Sequence, residues 1–170
     1  TGLDHNRTIS LMAAQAGVRS DAVEKVTIWG NHSTSQFPDL HHAQIGGCPA
    51  LEVLGEAWYR QALIPCVRNR GAEVIRVRGK SSAGSAADAA LGQMKDWILG
   101  TPQGGWTSMA VASRGEYGVP EGLVCSFPVR VVAGEWEIVE GLALNPFAES
   151  EIRLSVYELL AERNLVEHLL

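Results

Sequence analysis

The segment Ile28-Trp29-Gly30-Asn31-His32-Ser33-Thr34-Ser35-Gln36 ends an apolar run in a glycine and then presents a histidine among small polar side chains. A lone histidine near a strand end is most often a hydrogen-bonded structural residue. It gains chemical use beside an acid that fixes its tautomer and stabilises its protonated ring. The segment Leu3-Asp4-His5-Asn6-Arg7 offers one. Asp4 and Arg7 stand three apart, so on a helix they share a face. Taken alone they make a surface ion pair of little worth. Taken with His32 they describe a site. Asp4 would accept the Nδ1 proton of His32, and Arg7 would hold a substrate carboxylate in a bidentate fork that lysine cannot imitate. His32 would then exchange a proton with a neighbouring hydroxyl or carbonyl oxygen. Spacing alone does not choose between the two readings.

Other chemistry-bearing residues carry less. Asp39 with His41 and His42 suggests a metal, but adjacent histidines rarely converge on one ion and no second set of ligands accompanies them. No metal is expected. Gly79-Lys80-Ser81 imitates the end of a phosphate loop, yet Val74 stands where that motif needs its first glycine. The five tryptophans read as core or interface anchors. Cys48, Cys66 and Cys125 are odd in number and widely spaced, with no CxxC pair, which suits reduced structural thiols in a cytosolic protein.

The elements that must position His32, Asp4 and Arg7 follow from periodicity. Ile9, Leu11, Met12 and Ala16 approximate a helical apolar face, with Gly17 as its terminator. Asp21 and Glu24 resemble a capping pair for a short turn. Residues 26–29 read as a buried strand that Gly30 ends, leaving His32 on the loop just beyond. Loop and short strand are expected from Pro38 to Gly55. A helix is expected over 58–70, starting in earnest near Ile64 because of Pro65 and capped by Gly71, with a short strand over 74–77. Ser81 opens the clearest helix, which runs to about Leu99 with Ala83, Ala87, Ala90, Leu91, Met94, Trp97 and Ile98 mainly on one face. Gly100 and Pro102 stop it. Runs at 106–112, 124–132 and 135–139 read as strands separated by Gly/Pro turns. A long amphipathic helix is expected from about Ser150. The sum is one α+β domain, helices packed on a mostly antiparallel sheet.

At 170 residues the chain fits a single domain with one core. A net charge of −5 argues against a duplex-binding role, so no nucleic acid is expected as a partner. No apolar run approaches the roughly 20 residues that cross a bilayer, and no membrane association is expected. Thr1 in place of a methionine suggests a piece of something longer.

LDHNR at 3–7 followed by IWGNHS at 28–33 resembles the malate dehydrogenases, specifically the cytosolic-type branch of the lactate/malate dehydrogenase family. QFPD at 36–39, RGAEVI, SSAGSAA at 81–87, GTPQG, YGVP, SFPV and EGL resemble that branch as well, in order and over nearly the whole chain. NHS at the histidine favours the malate branch over relatives that carry a GEHG-like sequence. The resemblance implies that Asp4 and His32 are the catalytic acid–histidine pair, that Arg7 grips the C1 carboxylate, and that Ser81 and Ser82 border the substrate pocket. Ser82 is equally suited to cap the helix. Gly2 and Thr8 depart from the arginine and alanine usual there.

No stretch provides the strand, GxGxxG, helix and acid of a dinucleotide site. By resemblance, residues 1–170 are the C-terminal substrate-binding domain of the family's fold, and the Rossmann half with its NAD or NADP lies outside this chain. The implied enzyme interconverts malate and oxaloacetate, is cytoplasmic and is a homodimer. The isolated domain is expected to be inactive. Two alternatives stay open: a free-standing, non-catalytic dimerisation module of the same fold, and half of a lactate-type 2-hydroxy acid dehydrogenase.

Overall fold

The computed structural model describes residues 1–169. Helix α1 (Gly2–Ala16) opens the chain and stops at Gly17, whose φ of 70° is the left-handed conformation that returns its amide to the helix's last carbonyls. LDHNR therefore lies in the first turns of a helix, and Asp4 and Arg7 do share a face. Four short strands follow: β1 (Val23–Glu24), β2 (Thr27–Trp29), β3 (Phe37–Asp39) and β4 (Gln44–Ile45). Next come β5 (Cys48–Pro49) and α2 (Ala50–Leu54). β1, β4 and β5 form one antiparallel sheet, and β2 pairs with β3 with Trp29 opposite Phe37. Asp21, expected to cap, instead pairs with the neighbouring guanidinium of Arg19 at 2.7 Å.

The helical stretch after Gly55 differs from the expectation. α3 (Glu56–Trp58), a π-helical turn (Tyr59–Leu63) and α4 (Ile64–Arg78) follow without a break. The wide turn directly before Pro65 accommodates a ring that would clash with the carbonyl four residues back in a regular helix. α4 then passes through Gly71 and through 74–77, where a strand was expected, and ends at Gly79. β-branched residues suggested a strand there. Propagating a formed helix adds one hydrogen bond per residue, whereas an internal glycine costs only about 1 kcal/mol, so the helix continues.

α5 (Gly84–Leu99) begins three residues later than expected, with Ala83 rather than Ser82 at its N-cap. Its expected apolar face is largely open: Leu91, Met94 and Ile98 are all more than half exposed. Ala89 alone is buried, and the carbonyl of Ala89 lies over Gly2 of α1. The last sheet is a meander of β6 (Thr107–Ala112), β7 (Val124–Val132) and β8 (Glu135–Ile138). α6 (Pro146–Val166) starts four residues before the expected point, because Asn145 accepts the Ala148 N–H at 2.8 Å and Pro146 suits the first turn.

The core lies between the sheets and α1, α4 and α6. Trp29, Tyr59, Phe37, Phe127 and Ile28 are fully enclosed. Trp29 meets Tyr117 and Phe127 edge-on at 4.7 and 6.2 Å between ring centres. β2 thus ends in a rigid aromatic cluster, and the next residue carries the loop of interest. Among the described residues no helix is long and apolar enough to cross a membrane.

Candidate active site

The first turn of α1 and the loop after β2 bring three of the expected residues together. Asp4, with a side chain only 1% exposed, accepts from His32 Nδ1 at 2.7 Å through one oxygen and from Arg7 Nη1 at 3.3 Å through the other. A carboxylate this buried must be paired, and it has a partner on each oxygen. Its demand for a donor leaves the proton of neutral His32 on Nδ1. Nε2 is then a free acceptor, and among the described residues it has no partner. The His32 side chain is 65% exposed. The arrangement is an imidazole fixed on one side by a buried anion and open on the other, as proton transfer needs.

The loop itself is fastened by residues the sequence did not flag. Gly30 has φ 90° and exchanges two backbone hydrogen bonds with Ser126 of β7. A Cβ at Gly30 would lie 2.1 Å from the Ser155 hydroxyl oxygen, so α6 crosses where only glycine fits. Asn31 N–H donates to Ser155 Oγ at 2.7 Å, and Ser155 and Ser35 hydroxyls meet at 2.8 Å. Ser33 and Ser35 both donate to the Glu158 carboxylate, and the Asn31 amide donates to Glu158 and Glu162. The serine hydroxyls, Ser33 foremost, hold the Glu158 carboxyl below its usual range.

The neighbouring histidines have other uses. His5 is buried, its Nδ1 takes the Ser108 hydroxyl at 2.8 Å, and burial pushes its pKa down to about 4. It is a neutral packing residue. His41 pairs through Nδ1 with buried Asp39 at 2.5 Å, and its Nε2 accepts from Asn145 Nδ2 at 2.6 Å. The Asp39 hydrogen bond pushes its pKa up. His42 turns to the Ala143 carbonyl, so the adjacent pair does diverge. Burial raises the Cys125 thiol to about 12, which leaves no nucleophile there.

Ser81 and Ser82 are not brought to this cluster. They lie on the connection between α4 and α5, Ser81 exposed, and neither has a hydrogen-bond partner among the described residues. A cavity of about 460 Å³ beside Arg7 is lined by Asn6, Arg70, Val74, Ser85 and Asp88, without either serine. The signal for Ser155 and Glu158 was absent from the sequence, since nothing in α6 announces which loop it crosses. Asn31, Ser33 and Ser35 were visible only as small polar side chains around the histidine, with nothing in a stretch polar throughout to mark which of them face inward.

Comparison with known proteins bears on the whole chain. A family model described as lactate/malate dehydrogenase, alpha/beta C-terminal domain, matches residues 1–170. The malate dehydrogenase of Naegleria fowleri is 46% identical with a TM-score of 0.94, over 100% of this chain and 52% of that one. A lactate dehydrogenase of Trichomonas vaginalis, solved with NADH and oxamate, is 28% identical with a TM-score of 0.92, over 99% of this chain and 53% of its own. Malate dehydrogenase of Plasmodium falciparum shares the fold at 21% identity, with a TM-score of 0.82 over 95% of this chain and 52% of that one. This chain spans about half the length of each.

Proposed function

The chain belongs to the lactate/malate dehydrogenase family as its α/β C-terminal domain, and on that footing we propose that it is the catalytic and substrate-binding half of a malate dehydrogenase. The observation that carries the reading is Asp4, buried between Arg7 and a His32 whose Nε2 is free. His32 accepts the C2 hydroxyl proton of malate on Nε2, and the resulting imidazolium keeps its Nδ1–H on Asp4. In the reverse direction the same imidazolium gives that proton to the ketone oxygen of oxaloacetate. Arg7, already held on one side by Asp4, presents its remaining donors to the substrate's C1 carboxylate, each charge-assisted bond worth roughly 1.5–3 kcal/mol.

Every strand pair among the described residues is antiparallel, so the parallel unit that cradles a dinucleotide is not built from them. NAD or NADP, held mainly by another part of the protein, would exchange the hydride with substrate C2. The open apolar residues of α5 support a domain made to be covered, by that part and by a second copy in a homodimer. The same resemblance supports a cytoplasmic enzyme and a role for Ser81 and Ser82 at the pocket edge once the covering part is in place. A lactate-type enzyme is the second reading, favoured by the likeness to the Trichomonas protein.

The test is cofactor-linked turnover by the 170-residue chain and by the longer protein that contains it. The account expects none from the former, and oxaloacetate reduction well above pyruvate reduction by the latter. Preference for pyruvate would select the lactate-type reading, and a longer protein inert to both would leave a non-catalytic module.

A further inference from the structure

We propose that Glu158 of α6 is a positioning residue for His32, acting through Asn31, Ser33 and Ser35. The inference rests on His32 being the proton-transfer group. His32 is the most exposed member of its cluster, and among the described residues Asp4 is the one side chain that holds it. Exposed loops with a single tether open readily, so the backbone on both sides of the ring needs fixing.

The residues around His32 alternate. Asn31, Ser33 and Ser35 are half-buried and turn towards α6, whereas His32 and Thr34 are exposed. The three inward side chains converge on one acceptor: both serine hydroxyls and the Asn31 amide donate to the same Glu158 oxygen. Ser155, one turn earlier on α6, takes the Asn31 N–H and meets Ser35. A polar ladder of this kind fixes which residues face inward, and therefore which face out. An ionised carboxylate suits it because it accepts only and has room for several donors. With the ladder closed, the side chain between Asn31 and Ser33 is left facing away from α6, towards solvent and Asp4. The loop is thus oriented from α6, on the opposite side from the carboxylate that His32 itself touches.

The experiment uses the full-length enzyme. Glu158→Ala should lower kcat by between about 10-fold and 10²-fold, the scale for misplacing a reacting group from a distance. KM should stay unchanged, because Arg7 sits on α1 and not on the loop. Glu158→Gln should recover most of kcat, since its amide oxygen still accepts and the hydroxyls can turn. The double variant Ser33→Ala/Ser35→Ala removes both serine bonds to Glu158 from the loop side without touching α6, leaving that of Asn31, and should reproduce the split in kcat and KM. In 13C-histidine spectra the His32 Cε1–H signal should broaden in both weakened forms while those of His5 and His41 stay sharp. An unchanged kcat in Glu158→Ala, or a kcat that falls only in proportion to the folded fraction with the His32 signal still sharp, would overturn the proposal while leaving the role of His32 intact. Full turnover by His32→Asn would instead remove the premise and the proposal together.

Discussion

Among the described residues two histidine–aspartate pairs are made from the same parts. Asp4 and Asp39 are both buried, and each accepts the Nδ1 proton of a histidine, His32 and His41. The difference lies at the other nitrogen. His41 Nε2 is occupied by the amide of Asn145, whose oxygen caps α6, and the His41 side chain is 16% exposed. His32 Nε2 has no partner among the described residues, and its side chain is 65% exposed. One pair therefore joins a loop to a helix start, and the other leaves a ring nitrogen open to solvent. An acid–histidine contact is not by itself a catalytic signal; the proposed role of His32 rests instead on an unspent Nε2 with an arginine on the same carboxylate.

The sharpest way to break this contrast is to remove each ring in the full-length enzyme. His32→Asn should cost about 10³-fold in kcat with the melting temperature unchanged, the range for loss of a positioned general base. His41→Gln should leave kcat as it is. Asp4→Asn comes next, with an expected loss of about 10²-fold or more in kcat, because an amide at Asp4 can stabilise the wrong tautomer and cannot balance the imidazolium. Arg7→Lys should lower kcat/KM by roughly 10-fold to 10²-fold, mostly through KM, as a point charge replaces a fork.

Stability effects are smaller and fall on the other pair. His41→Ala orphans part of Asp39 and loosens Asn145, so thermal unfolding should show a loss of about 1–3 kcal/mol, with kcat retained. His5 sharpens the contrast by pH. Its folded pKa of about 4 lies below the ordinary value of about 6.5. Between those values the unfolded chain binds the extra proton, so the contribution of neutral His5 is complete above about 6.5 and is lost as the pH falls towards 4. His5→Gln should flatten the decline in melting temperature over that window.

Much of this site was readable in the sequence, and for identifiable reasons. Helical spacing put Asp4 and Arg7 on one face, and Gly30 marked the end of β2, so the placement of His32 followed. The resemblance in LDHNR and IWGNHS supplied the pairing of the two segments. Local propensity failed at 74–77, where β-branched residues continue a helix already under way. It also failed at the start of α6, where Asn145-Pro146 is the real signal. The apolar stripe of α5 was seen, but pattern alone could not say that it faces outward in this domain. Ser155 and Glu158 were illegible because their meaning depends on a contact more than a hundred residues away in sequence. Ser81 and Ser82 remain apart from the cluster within this domain.

The most direct test of the account compares two titrations in the full-length enzyme. One is the pH dependence of kcat/KM for malate oxidation, which reports the free enzyme's essential base. The other is the ionisation of His32 followed through its Cε1–H signal, assigned by its loss in His32→Asn. The account expects the two midpoints to coincide and to move together in Asp4→Asn. A kinetic midpoint that follows another group, or stays in place when that of His32 moves, would contradict it.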